Sequence, residues 1–318
     1  MCTCIMIKTK NTYFGRNMDL DYSFNEKVII TPRNYEIKFK KEASIKEHFS
    51  IFGVGTVIDN YPLYAEGINE VGLAFAALNF DGYASYNEVI EDKLNLAPYE
   101  LILYLLGTCK NIIDVKEKIK NLNIINLDFN INTLVTPLHF MMSDTNSSIV
   151  IESTIDGLKV YDNPYNILTN NPEFSFHKNN LKQYINLSVD DPSNEFDKKL
   201  DLSLYSFGQG SFGLPGDYTS CSRFIKALFI KNNMVLGNYE VDNINQFFYC
   251  LDSVLMVKGL VKTKKGFEYT RYQTCYDLNN LVMYYKTYED RNINTLKFDD
   301  FDLSNEKKLI LVKMYKKD

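Results

Sequence analysis

The 318-residue chain has no tryptophan, only three histidines and no C-x-x-C pair. Without tryptophan, aromatic burial falls to 23 Tyr and 21 Phe. The histidines (His48, His139, His177) are far apart in sequence and read as structural. Cys2 and Cys4 stand too close to form a zinc knuckle, so no metal site or cofactor is expected. The six cysteines (2, 4, 109, 221, 250, 275) show no disulfide framework, which points to a reduced, cytoplasmic protein. No apolar run approaches the roughly 20 residues of a membrane helix, and no secretory signal pattern opens the chain. A net charge of −5 argues against nucleic acid as a partner. The short basic stretch Lys262-Thr263-Lys264-Lys265 reads as a solvated turn. There is no internal repeat and no Pro- or Gly-rich linker, so residues 1–318 are expected to form a single domain.

What is present is an ordinary globular balance, 45% hydrophobic and 24% charged. Alternating apolar runs predict strands over 2–9, 12–17, 27–31, 49–58, 63–66 and 71–80. The first two form a hairpin around Lys10-Asn11, and Gly67 with Asn69 marks a turn. Helical spacing predicts helices over 97–106 and 112–121, with Asp114 and Glu117 read as a helix start with its capping partner. Strands return over 138–143, 148–153, 158–162 and 165–169. Helices follow over 176–185, 220–232 and 244–258, and strands over 269–277, 281–288, 292–298 and 308–314. Blocks of strands separated by blocks of helices indicate an α+β protein. Two stacked antiparallel sheets with helices on both outer faces, a four-layer α-β-β-α sandwich, account for that order.

The most informative residue is Cys2. Loss of Met1 would leave it with a thiol nucleophile and a free α-amine. The amine's ordinary pKa of about 7.7–8.0 suits it to act as general base. The alternative is an ordinary small residue in a first strand. The second strand of the hairpin carries Arg16 and Asp19. In an antiparallel pair these approach Cys2, Arg16 to favour the thiolate and Asp19 to hold the amine or the thiol proton. Taken alone, they also read as a surface pair at a strand end. Asn79 and Asn170 stand where strands give way to loops, as turn residues or as oxyanion donors. Arg223 falls in the first turn of a helix behind the Gly-rich segment 208–216, where a helix-surface arginine is the plain alternative.

The stretches Met1-Cys2-Thr3, Phe14-Gly15-Arg16-Asn17-Met18-Asp19, Asp59-Asn60-Tyr61-Pro62, Gly67-Ile68-Asn69-Glu70-Val71-Gly72-Leu73, Leu78-Asn79-Phe80, Leu168-Thr169-Asn170-Asn171-Pro172, Gly213-Leu214-Pro215-Gly216-Asp217 and Ser222-Arg223-Phe224 occur in one order across nearly the whole chain. Together they resemble the choloylglycine hydrolases, which include bile salt hydrolases and penicillin V acylases. The resemblance implies an N-terminal nucleophile hydrolase fold and cleavage of a linear amide. It implies Cys2 as nucleophile, Arg16 and Asp19 as its charged pair, Asn79 and Asn170 at the oxyanion, and Arg223 as a second active-site arginine. Asn171 departs from the pattern, which has serine there. A homotetramer is implied as well.

A steroid acyl group needs a broad apolar pocket, for which Met18, Tyr22, Ala65, Phe129 and Leu138 are candidates or else plain core. In the family, Asn at position 79 goes with bile salt hydrolases and Tyr with penicillin V acylases. The expected substrate is therefore a small molecule, a glycine- or taurine-conjugated bile salt. Penicillin V or N-acyl-homoserine lactone acylase activity, a silent bile-acid-binding protein, and acyl transfer from the same thioester are the alternatives.

Overall fold

A computed structural model describes residues 1–304 and 307–315. The chain opens with β1 (Cys2–Lys8), β2 (Thr12–Leu20) and β3 (Lys27–Thr31), then β4 (Ile51–Ile58), β5 (Tyr61–Asn69), β6 (Ala74–Asn79) and a short β7 (Leu94–Leu96). Helices α1 (Leu101–Thr108) and α2 (Ile112–Ile119) lead into β8 (Leu122–Ile124), β9 (Leu138–Ser143), β10 (Ser148–Thr154), β11 (Gly157–Asp162) and β12 (Ile167–Leu168). Three helices follow: α3 (Phe174–Asn180), α4 (Ser220–Asn233) and α5 (Glu240–Asp252). The chain closes with β13 (Val261–Lys262), β14 (Phe267–Asp277), β15 (Val282–Thr287), β16 (Asn294–Lys297) and β17 (Ile310–Lys313).

Apart from β7 and β8, which pair with each other in parallel, the strands form two antiparallel sheets. One runs β12-β1-β2-β14-β15-β16, with β13 paired to β14, and the other β11-β10-β9-β6-β5-β4-β3-β17. Side-chain alternation shows how they stack, because successive residues of a strand face opposite ways. In the second sheet Val28, Ile30, Phe52, Val54, Ala74, Ala76 and Val150 join a core shared with the first sheet. Their neighbours Ile29, Ile51, Phe75, Ile149 and Ile151 pack with the α1 and α2 residues Leu101, Leu105 and Val115. Helices α4 and α5 lie on the other side, against β1, β2, β12 and β14. The result is the expected α-β-β-α sandwich, with the first sheet covered on both faces. That is why all but the last residue of β2 is buried.

Several boundaries differ from the sequence reading. Residues 71–73 are a turn, not strand: the Asn69 side chain accepts from the N–H groups of Val71 and Leu73. Gly67, read as part of that turn, lies inside β5. The 97–106 helix begins as a 3-10 turn at Pro98–Glu100. The cap of α2 is Asn111, which accepts from the Asp114 N–H at 3.0 Å, while Asp114 reaches back to the Lys110 N–H at 2.9 Å. Glu117 has no part in that cap; its carboxylate takes Lys120. Helix α3 starts earlier than expected and tightens to 3-10 geometry at Leu181, after the poor helix formers Asn179 and Asn180. Helix α5 stops at Asp252 because Met256 pairs with Thr270 of β14, through N–H to Oγ1 at 2.8 Å and C=O from N–H at 3.0 Å.

Candidate active site

The β1–β2 register places Met18 opposite Cys2, Asn17 opposite Thr3 and Arg16 opposite Cys4. Cross-strand partners share a face, so Cys2, Cys4, Arg16 and Met18 point between the sheets. Thr3, Asn17 and Asp19 point towards the helices, and Asn17 Nδ2 accordingly donates to the Leu251 carbonyl of α5. Gly15 lets β2 lie close enough to β14 for this register, since a Cβ there would collide with the Thr274 carbonyl. The two charged residues expected beside Cys2 are therefore split by face, Arg16 with the sulfur and Asp19 with the main chain behind it.

Arg16 is fully buried and donates to the Ala77 carbonyl of β6 at 2.5 Å. Its Nε stands 3.2 Å from Glu66 Oε2. Burial works against the guanidinium charge, but Cys2 and Glu66 outweigh it and the arginine is held more firmly protonated than usual. Glu66 is buried too, and burial pushes its carboxyl above the usual range against the pull of Arg16 and of Thr274, whose hydroxyl donates to Oε1 at 2.5 Å. Nothing in the sequence reading singled out Glu66. A carboxylate in an alternating apolar strand was the available signal, because such a group has to find a cation or a donor.

On the other face, Asp19 Oδ1 accepts from the Thr270 hydroxyl at 2.6 Å, and Oδ2 is buried without a hydrogen bond. Burial raises this carboxyl, opposed first by the chain's terminal ammonium and then by Arg223. The Met1 ammonium donates to the Asp19 carbonyl at 2.8 Å and pairs with Glu268. Arg223 is no surface residue. It is 1% exposed, and it enters from the first turn of α4. Its guanidinium donates to the Cys2 carbonyl, to Thr3 Oγ1 at 2.7 Å and to Asn170 Oδ1 at 2.8 Å.

Asn170 links the two sheets. It follows β12 in one sheet, and its Nδ2 donates at 2.8 Å to the carbonyl of Asn79, the last residue of β6 in the other. Its Oδ1 accepts from the Cys2 N–H at 2.6 Å. Ser220 Oγ clamps its backbone, accepting from the Asn170 N–H and donating to the Asn170 carbonyl, both at 2.8 Å. His177 Nε2 donates to that carbonyl at 2.9 Å, and His139 Nε2 meets the Thr169 carbonyl at 3.0 Å. Two of the three separated histidines thus converge on one strand end. Burial lowers His177 to about 4, keeping it neutral. Asn79 Oδ1 accepts from the Asp81 N–H at 2.9 Å, which leaves its amide NH2 as a donor.

An apolar cavity opens from Cys2 and Arg16 between the sheets. All five side chains proposed for the acyl group, Met18, Tyr22, Ala65, Phe129 and Leu138, line it. Tyr99, Ile102 and Leu134 also line it and were missed: Tyr99 and Leu134 sit in a 3-10 turn and a loop, which carry no periodic signal, and Ile102 sits on a helix α1 whose residues are apolar nearly all round, so no face stands out.

A thiol at the head of an inner strand, within this four-layer stack, places the molecule among the N-terminal nucleophile hydrolase folds. The chain belongs to the linear amide C–N hydrolases of the choloylglycine hydrolase family, whose model matches residues 2–311. It is 45% identical over 297 residues to a bile salt hydrolase/transferase from Lactiplantibacillus plantarum, covering 93% of this chain and 92% of that one. A Clostridium perfringens bile salt hydrolase/transferase is 40% identical, covering 99% and 97%. The crystal structure of a mutant conjugated bile acid hydrolase from Clostridium perfringens superposes with a TM-score of 0.92 at 37% identity, covering 99% and 98%. A penicillin V acylase from Agrobacterium tumefaciens shares the fold, with a TM-score of 0.77 at 18% identity.

Proposed function

We propose that this protein hydrolyses the amide bond of glycine- or taurine-conjugated bile salts through an acyl-thioester on Cys2. The observation that carries the reading is the position of Cys2. It lines the apolar cavity, while its neighbour Met1 and its hydrogen-bond partner Asn170 line a second, polar one, and Asn79 lines both. An amide with a bulky apolar acyl group and a small polar amine fits across the two, its carbonyl at the thiol.

Loss of Met1 converts the Cys2 N–H into the free α-amine, already oriented by Asn170 Oδ1 and by the charge of Asp19. The amine takes the thiol proton as sulfur attacks the carbonyl carbon, and passes it to the leaving nitrogen as the C–N bond breaks. Asn79 Nδ2 and the second N–H of Asn170 Nδ2 stabilise the oxyanion. Water then attacks the thioester, the acid leaves and the thiol is restored. Arg16 stabilises the sulfur as thiolate, and Arg223 fixes the Cys2 carbonyl and Asn170. The reaction needs no metal or cofactor. Acyl transfer is a second reading: the polar cavity that releases one amine also admits another to the thioester, and the two relatives are named hydrolase/transferase.

We assign residues 1–318 to one catalytic domain of a cytoplasmic homotetramer. Exposed apolar side chains between α3 and α4, among them Ile185, Phe196, Phe207 and Phe212, support a subunit interface. Among the described residues no helix is long and apolar enough to cross a membrane.

The test is a panel of glycocholate, taurocholate and penicillin V with wild type, Cys2→Ser and Cys4→Ser, alongside the intact mass. Release of glycine or taurine by a chain lacking Met1, lost in Cys2→Ser and kept in Cys4→Ser, is the expected result. Penicillin V turnover alone moves the assignment to a penicillin acylase or a relative acting on other N-acyl amides. Bile salt binding without any cleavage makes the protein a silent binder, and an active enzyme that retains Met1 removes the α-amine mechanism.

A further inference from the structure

The second cavity, of about 540 Å3, lies beyond Cys2 and shares Leu20, Tyr22 and Asn79 with the apolar one. Its lining carries opposite charges at separate places. Glu268 and the Met1 ammonium form one, where the ammonium also donates to the Asp19 carbonyl at 2.8 Å. The proposed processing removes this ammonium and leaves two acceptors, Glu268 and the Asp19 carbonyl, beside the reacting thiol. A primary ammonium already sits between them, so the place suits another.

Lys264 and Lys265 supply the positive side, on the turn between β13 and β14. That turn is held in shape. Thr263 N–H donates to the Gly266 carbonyl at 2.8 Å, and Thr263 Oγ1 accepts from the N–H groups of Lys265 and Gly266 at 3.0 and 3.1 Å. The same hydroxyl donates to Asp21, which occupies one acid of the lining and ties the turn to the end of β2. Lys265 Nζ lies 5.8 Å from the ring centroid of Tyr22, a residue of both cavities. Asp81 is the remaining acid of the lining.

We propose that this cavity is a zwitterion subsite, in which Glu268 and the Asp19 carbonyl receive the departing amine, which becomes an ammonium by taking the proton the product acid gives up to solvent, while Lys264 and Lys265 hold the carboxylate or sulfonate at the other end of the leaving group. The assignment rests on the bile salt reading above and adds to it what recognises the amine half. Both lysines are exposed, so their attraction is screened by salt and modest in size.

The experiment compares glycocholate with glycocholate methyl ester, which keeps the acyl group and the scissile amide but lacks the anion. Lys264→Ala/Lys265→Ala should lower kcat/KM about tenfold for glycocholate and less than twofold for the ester. Added salt should erode the wild-type preference for the acid and leave the double variant unmoved. Equal losses on both substrates, or a loss on neither, would overturn the anion site. Glu268→Gln should lower kcat on acid and ester alike, since both release an amine; an unchanged kcat overturns the ammonium site. A wild-type enzyme that cleaves penicillin V but neither bile substrate overturns the bile salt reading, and the subsite with it.

Discussion

The Glu66 carboxylate stands 3.2 Å from the Arg16 guanidinium, and both side chains are sealed between the two sheets. The thiol of Cys2 and the carboxylate of Glu66 thus draw on one cation. Glu66→Gln removes the competitor and leaves the shape and the Thr274 contact. Burial raises Glu66 to about 7, so the variant's pH profile of kcat/KM should lack the limb that follows Glu66 ionisation there. Glu66→Asp should restore the wild-type limb. A limb that stays in place would show that Glu66 only fills space.

Asn170 serves three partners with one side chain: Cys2, Arg223 and Asn79. On the proposed mechanism, truncation to alanine removes a donor from the oxyanion and the acceptor that orients the amine. The expected loss in kcat is about 10²–10³, with KM changed little, because the interaction strengthens as charge develops. Steady-state kinetics on glycocholate decides it. A rise in KM at constant kcat would assign Asn170 to binding.

His177 carries a pH dependence of stability. Burial lowers it from 6.5 to about 4, and its neutral ring stacks on Phe224 with centroids 4.7 Å apart. An unfolded chain binds this proton at higher pH than the native one. The contribution is therefore complete above pH 6.5 and lost as pH falls from there towards 4, about 3 kcal/mol across the window. Urea unfolding at pH 7.0 and 4.5 should show the drop, and His177→Gln should show less of it. Equal slopes in the two proteins would place the acid sensitivity elsewhere.

The layers were legible because β-strand alternation and the position of helical blocks are written locally, and Val28-Ile29-Ile30 alone shows a strand with apolar neighbours on both faces. The residues around Cys2 were legible through ordered motifs and through hairpin geometry, which brings residues 16–19 back to residue 2 whatever the rest of the chain does. The facing of those residues was less accessible. Arg16 and Asp19 differ by an odd number of positions and so must part company, yet the reading grouped them. No local pattern marks Arg223 as buried, since the Cys2 carbonyl that holds it is 221 positions away, and the ordered motifs alone assigned it to the site. Tertiary contacts also set the ends of α5 and β12, where propensity alone extends them.

The first strand has a partner on each side, and Cys2 is 3% exposed. An aminopeptidase has to draw the terminal residue into its own active site, and here that residue's amine is already engaged by Asp19 and Glu268. The Met1 removal proposed above would therefore belong to the nascent chain, before residues 170, 223 and 268 have emerged to enclose it. A molecule that completes folding with Met1 in place is locked out of maturation. On the proposed mechanism, the speed of methionine excision relative to translation then sets how much of each batch becomes active enzyme.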